Sequence, residues 1–118
     1  MDKYALGTEG EAEARNYLES IGYKIIDVNV NFPQIGELDI VATDGNVLVF
    51  VEVRTRSDNV FGNPLETLTK GKIRKVVAAS KRYLMEHKAF YDGYRYDVIG
   101  ILRGNVTHIK NAFYAYWR

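Results

Sequence analysis

Cysteine is absent from the 118 residues. That excludes a disulfide framework and any thiolate metal site, and it suits a reducing compartment. No apolar run approaches the roughly 20 residues needed to span a bilayer. The start, Met1-Asp2-Lys3-Tyr4-Ala5, lacks the apolar stretch of a signal peptide. The cytoplasm is therefore the expected compartment. Histidine is scarce too: His87 and His108 are far apart, which argues against a zinc site. There is no internal repeat, no low-complexity tract and no Gly-rich phosphate loop, and no nucleophile–His–acid order can be read from the chain.

Strong charge is also missing. The net charge of +1 does not announce a nucleic-acid binder. Its distribution says more. Lys70, Lys72, Arg74, Lys75, Lys81, Arg82 and Lys88 crowd one segment that holds only one acid, Glu86, whereas most acids lie in the N-terminal half. Such an asymmetry suits an acidic site beside a separate basic surface. A solvated helix face is the plainer explanation of the same pattern.

What remains is enough for one domain, residues 1–118, with a hydrophobic share of 47%. A helix is predicted over residues 8–21, with Gly10, Ala14, Tyr17, Leu18 and Ile21 on one face and Gly22 as its C-terminal stop. Strands are predicted over 23–30, 37–42 and 47–54, with a loop at Asn31–Gly36 and another at 56–64. A long helix is predicted from Pro64 to His87. Thr69, Ile73, Val76, Ser80, Tyr83, Leu84 and His87 form its inner arc, and Lys70, Arg74, Lys75, Lys81 and Arg82 its outer one. Two last strands cover Tyr94–Leu102 and Val106–Ala112. The order α-β-β-β-α-β-β implies an α/β domain with a central mixed sheet flanked by helices.

The second and third strands carry the chemistry. Side chains alternate faces, so Glu37 and Asp39 share a face, as do Glu52 and Arg54. With Asp44-Gly45 as a two-residue turn, Glu37 falls opposite Glu52 and Asp39 opposite Phe50. Asp39 and Glu52 then become diagonal neighbours about 7–8 Å apart. Leu38, Ile40 and Ala42 join Val47, Val49, Val51 and Val53 on an apolar opposite face. Crowded carboxylates destabilise a sheet and raise one another's pKa. A hard divalent cation removes both penalties. An alternative is that Arg54 neutralises the acids in an ordinary ion-pair network.

The runs Gly36-Glu37-Leu38-Asp39-Ile40-Val41-Ala42 and Phe50-Val51-Glu52-Val53-Arg54 resemble the PD-(D/E)xK nuclease signature. More narrowly, the chain resembles the YraN-type family of small bacterial proteins, similar in fold to archaeal Holliday-junction resolvases. The resemblance extends over Gly10-Glu11, Ala14, Gly22-Tyr23, Lys72, Arg95-Tyr96-Asp97-Val98 and Asn111-Ala112-Phe113. It implies a restriction-endonuclease-like fold and Mg²⁺ or Mn²⁺ held by Asp39 and Glu52, with help from Glu11 and the Val53 carbonyl. Glu37 would lie behind these ligands. Arg54 stands where the superfamily's catalytic lysine would be. Arginine keeps the charge but is very hard to deprotonate, so it suits charge stabilisation rather than general-base work.

Several residues carry a rival reading. Thr8-Glu9-Gly10-Glu11 fits a capping box, which would turn Glu11 back onto its own helix. Lys72, at the border of the core arc, can cover the sheet or reach a phosphate. Asp97 is read as a structural partner of Arg95, and the nine tyrosines as packing groups rather than stacking platforms. The function expected from all this is metal-dependent cleavage of DNA, branched or structured, with Asp39, Glu52, Arg54 and Glu11 as the catalytic set. Lys70, Lys72, Arg74 and Lys81 would contact phosphates. The rival is a nuclease-fold module that binds nucleic acid and cuts weakly or not at all. No membrane partner is expected. A homodimer is compatible with a two-fold branched substrate.

Overall fold

A computed structural model describes residues 3–56, 63–87 and 91–114, with side chains from residue 10 onward. Helix α1 (Lys3–Ser20) precedes strands β1 (Lys24–Phe32), β2 (Gly36–Asp44) and β3 (Val47–Arg56). A short 3₁₀ turn (Pro64–Thr67) and helix α2 (Lys70–Glu86) lead to β4 (Gly93–Leu102) and β5 (Asn105–Phe113). The five strands lie in chain order in one sheet. Only β3 and β4 pair in parallel, the crossover running through α2; the other neighbours are antiparallel. The mixed α/β sheet expected from the sequence is thus present. Of the loop expected over 56–64, residues 57–62 lie outside the described residues.

Two cores sandwich the sheet. On one face α1 covers Ile40, Ala42, Val49, Val51, Ile99 and Ile101 with Ala14 and Leu18. On the other, α2 covers Leu38, Val41, Leu48, Phe50, Tyr96 and Val98 with Ile73, Val76, Val77 and Tyr83. At about 25 cal/mol per Å² of apolar surface, burial on both faces dominates the stability of such a sheet. Close approaches set the helix positions. A Cβ on Gly36 would fall 2.6 Å from the Lys75 carbonyl oxygen, so α2 rests directly on the start of β2. A Cβ on Gly10 would overlap Thr55, so α1 rests on the end of β3.

The first helix is longer than predicted, starting at Lys3 rather than residue 8. Glu11 is therefore mid-helix, and the capping box with Thr8 does not form. At the other end Gly22 adopts φ +94°, and Tyr23 N–H donates to the Leu18 carbonyl across 2.9 Å while Gly22 N–H donates to Glu19. This Schellman closure turns the chain before Ile21 can join the buried stripe. Ile21 is 43% exposed, contrary to its predicted place on the inner face.

The predicted helix from Pro64 to His87 is two pieces. Asn63 caps the 3₁₀ turn by accepting from Leu65 N–H, and Thr69 caps α2 by accepting from Lys72 N–H. Leu68 and Thr69 between them are extended. Two capping side chains in this short span satisfy the free N–H groups of two starts, which an unbroken helix would not need. His87, predicted on the inner arc, is exposed and stacks its ring on Tyr83 at 3.9 Å. The predicted loop at Asn31–Gly36 is shorter, since β1 continues to Phe32 and β2 begins at Gly36.

Candidate active site

The hairpin register differs from the one predicted, and the difference brings the two acids closer. Asp44 pairs with Val47, so the turn residues are Gly45 and Asn46 rather than Asp44 and Gly45. Gly45, at φ +61°, occupies the first central position, where hairpin turns of the II′ type need positive φ. The ladder then runs through Val41–Phe50 to Ile40–Val51. Phe50 faces Val41, not Asp39, and the next step along the ladder sets Asp39, not Glu37, against Glu52. A shift of one residue in each strand would by itself leave each side chain on its predicted face.

At that step the backbone ladder stops, and the two carboxylates take its place. Asp39 Oδ2 accepts from Val53 N–H at 2.9 Å. Glu52 Oε2 accepts from Asp39 N–H at 3.3 Å. Leu38 packs beneath α2 while Ile40 and Ala42 pack beneath α1. Strict alternation is thus interrupted at Asp39, and the single apolar face predicted for Leu38, Ile40 and Ala42 is divided.

Glu52 is 1% exposed. Its Oε1 has no hydrogen-bond partner, and the cation nearest to it among the described residues is the Lys72 ammonium, 3.8 Å away. Burial, reinforced by the Asp39 charge, pushes the Glu52 carboxyl up to about 8. Burial also raises Asp39, against the opposing pull of the Val53 N–H and the nearby Lys72 and Arg54. Glu11 approaches from α1. Partial burial raises its carboxyl, a hydrogen bond from the Asn29 side chain opposes this, and the Asp39 charge adds to the rise. The Asp39 charge thus raises both Glu52 and Glu11. The three acids are not drawn into a tight cage: among the described residues no three His, Asp or Glu side chains converge closely enough to ligate one ion by themselves.

The other predicted residues divide. Arg54 is held away from the acids' oxygens by the 3₁₀ turn, its Nε donating to Thr67 Oγ1 at 2.8 Å and its terminal nitrogen to the Thr67 carbonyl at 3.4 Å. It makes no ion pair with Glu37 or Glu52 among the described contacts, so the neutralising network envisaged for it does not form. Lys70, Arg74 and Lys81 are exposed on α2, as predicted, whereas Lys72 turns inward to Glu52. Glu37 is exposed and lines an open groove of about 350 Å³ with Asn31, Gln34, Lys72 and Lys75.

Sequence reasoning missed two supporting residues. Asn29 adopts φ +49° within β1, lying between the Val28–Ile40 and Val30–Leu38 pairs, and so sits beside Asp39. Asparagine tolerates that backbone better than most side chains, which is the one signal its position offers. Thr67 has none, because its role depends on where the 3₁₀ turn lands. The pairing of Asp97 with Arg95 is present at 3.0 Å. It belongs to a larger cluster on the α1 face, where His108 Nε2 lies 2.8 Å from Asp97 Oδ2 and Asn111 N–H donates to Oδ1. Burial alone would raise Asp97, but His108, the Asn111 N–H and Arg95 together hold it below the usual carboxylate range.

Comparison with known proteins bears on the family and the fold. The model of a family described as "Uncharacterised protein family UPF0102" matches residues 10–101. A UPF0102 protein of Persephonella marina is 37% identical over 113 residues, spanning 96% of this chain and 97% of its own. One from Beutenbergia cavernae is 44% identical over 115 residues, spanning 93% and 97%. Among solved structures, Hjc of Archaeoglobus fulgidus, a Holliday junction resolvase, superposes with a TM-score of 0.58 at 19% identity. The superposition covers 87% of this chain and 75% of that one. The fold is therefore the resolvase-like, restriction-endonuclease-like one.

Proposed function

The chain belongs to the UPF0102 family, the YraN-type family that its motifs resemble, and from that premise we propose that it is a divalent-metal-dependent nuclease acting on DNA, with branched or structured DNA as its preferred form. The observation that carries this reading is the buried Oε1 of Glu52, beside Asp39, with no hydrogen-bond partner among the described residues and only the Lys72 ammonium 3.8 Å away. A buried carboxylate oxygen without a hydrogen-bond partner costs several kcal/mol unless protonated or coordinated. The candidate ligands, the Asp39 and Glu52 carboxylates and the Val53 carbonyl, are all oxygens, the set that Mg²⁺ and Mn²⁺ prefer. Asp39, Glu52 and the Val53 carbonyl would hold the ion, with help from Glu11 on α1. This division suits Mg²⁺, which usually keeps several waters and takes only one or two carboxylates.

The bound ion would supply Lewis acidity and a more acidic water. The protein's own residues would do the rest. Asp39, fixed by the Val53 N–H, orients the site at the break in the ladder. Hydrolysis would add water across one P–O ester bond: the water oxygen bonds to phosphorus as the ester oxygen departs, the attacking water's proton passes to solvent, and the departing oxygen takes a proton from solvent. Lys70, Arg74 and Lys81 on the outer face of α2 would hold backbone phosphates without reading sequence. The likeness to Hjc, at 19% identity, supports the fold. The preference for branched DNA comes from that protein's described activity and is a proposal here, as is a homodimer matching a two-fold substrate.

A second reading has its own support. Arg54 replaces the superfamily's lysine and is engaged with Thr67, and among the described residues no three acids converge. A module that binds branched DNA without cutting it would show both features. The two readings separate in one experiment. Highly purified protein is incubated with a four-way junction or matched linear duplex in Mg²⁺ or Mn²⁺, beside Asp39→Asn. The enzymatic reading expects cleavage that requires metal and falls about 100-fold or more in the variant, the scale of losing a group that stabilises transition-state charge. Junction binding without cleavage in either protein would favour the module.

A further inference from the structure

We propose that Lys72, delivered from the first turn of α2, is the cationic catalytic residue of this site, facing the scissile phosphate in the role that the motif's own basic position leaves open. The inference rests on the nuclease reading above and assigns it a further residue.

Two cations lie near the acids, and the structure treats them differently. Arg54, at the motif position, is engaged through two of its nitrogens with Thr67. Thr67 is itself fixed, its hydroxyl donating to the Pro64 carbonyl at 2.7 Å. Arg54 also lines a small cavity of about 130 Å³ with Pro64, Gly100 and Thr107 rather than the open groove. It therefore braces β3 against the 3₁₀ turn. Lys72 has no hydrogen bond of its own among the described side chains. Its ammonium stands 3.8 Å from Glu52 Oε1, the oxygen without a hydrogen-bond partner. Its side chain is 36% exposed, and it lines the groove that opens beside Glu37. Among the described residues it is the cation that touches both the buried carboxylate and the open groove.

The local sequence explains the placement. Thr69 accepts from Lys72 N–H at 3.1 Å and so sets the start of α2. Ile73 and Val76 anchor the next turn in the core. Gly36 lets the helix backbone sit against β2. With the backbone of Lys72 fixed, a four-carbon stem reaches the sheet while its head keeps three donors. A divalent ion and this ammonium would compete for the same Glu52 oxygen. Once the ion takes it, the ammonium is left beside the groove as a positive charge for the phosphate, where developing charge is stabilised most effectively by a preplaced cation.

The test compares wild type, Lys72→Gln and Lys72→Arg. Three quantities are measured: single-turnover cleavage at saturating junction DNA, metal-free DNA affinity, and Mn²⁺ affinity by calorimetry without DNA. The expected result is a saturating rate about 100-fold lower in Lys72→Gln, partly restored in Lys72→Arg. DNA affinity should fall only about threefold, as for one phosphate contact at moderate salt. Mn²⁺ should bind Lys72→Gln more tightly, because a competing charge has left Glu52. A saturating rate equal to wild type, with only DNA affinity reduced, would make Lys72 a plain backbone contact and overturn the inference while leaving the nuclease reading intact. Unchanged Mn²⁺ affinity would overturn the placement of the ammonium on Glu52. If the wild type binds metal and DNA yet cuts nothing, the nuclease reading fails and the inference falls with it.

Discussion

Asp97→Ala is expected to destabilise the fold by about 3–5 kcal/mol, the cost of breaking a buried charged network by removing one partner. Asp97 is fully buried. It joins four groups from three elements: Arg95 on its own strand, His108 and the Asn111 N–H on β5, and the Tyr23 hydroxyl after α1. Without the carboxylate, His108 and the Asn111 N–H lose an acceptor in a place that water cannot easily fill. Arg95 keeps its second partner, Asp44, at 3.0 Å. The loss therefore falls mainly on the β4–β5 pair and on the closure of α1. Because Asp97 is held below its ordinary pKa, its contribution is present above the unfolded carboxylate's pKa of about 3.9 and is lost as pH falls below that. Urea unfolding at neutral pH, extrapolated to water, checks it. A loss under about 1 kcal/mol would show that the network is replaceable by solvent. The site on the α2 face should keep whatever metal affinity it has, since the cluster lies on the opposite side of the sheet.

The second large effect concerns Glu52 and has the opposite sign. Its carboxyl is raised in the folded state to about 8, against about 4.3 when unfolded. The folded protein thus holds a proton that the unfolded chain gives up. This contribution to stability is complete below about pH 4.3 and is lost as pH rises towards 8. Glu52→Gln removes the titration while keeping an oxygen to accept from Asp39 N–H. The metal-free variant is expected to melt near the wild-type temperature at pH 5 and several degrees above it at pH 8, with the gap widening steadily between. Mg²⁺ at pH 8 should raise the wild type by mass action and leave the variant unmoved. Parallel melting curves across the pH range, without metal, would show that Glu52 ionises without penalty.

Much of this was legible in the sequence, for physical reasons that differ by element. Alternation in β2 and β3 and the Gly45 turn suffice to put Asp39 and Glu52 on one face. That conclusion survives the register change because moving the turn by one residue shifts both strands together. The partner of Glu52 did not survive it. Whether Asp44-Gly45 or Gly45-Asn46 makes the turn depends on small differences in turn energy that pairing along the whole ladder decides. The basic helix was legible from its periodicity, but its start was not. Leu68 and Thr69 are compatible with helix, and only the capping by Thr69 and Asn63 shows that the chain breaks there.

The site's finer chemistry lies further from the sequence. Lys72 stands out in the sequence from the other cations of the basic segment by its place at the border of the core arc. That its stem crosses the helix edge to a buried acid is a fact of packing rather than of pattern. Arg54 occupied the motif's basic position and invited a catalytic role, yet Thr67 holds it. Glu11 has two readings, and the helix start at Lys3 removes the capping box. His108 looked isolated because its partners, Asp97 and Tyr17, come from another strand and another helix.

The most direct test of the carboxylate pair as a metal centre is a calorimetric titration of Mn²⁺ at pH 8 into wild type, Asp39→Asn and Glu52→Gln, repeated in two buffers of different ionisation enthalpy. The wild type should show one saturable site whose occupation releases protons, because Glu52 must give up its proton to ligate. Each variant should bind at least about tenfold more weakly, the scale of losing one supporting group at a metal site, and Glu52→Gln should release none. Saturable binding that is equal in all three proteins, or no binding in the wild type with or without junction DNA, would contradict the account.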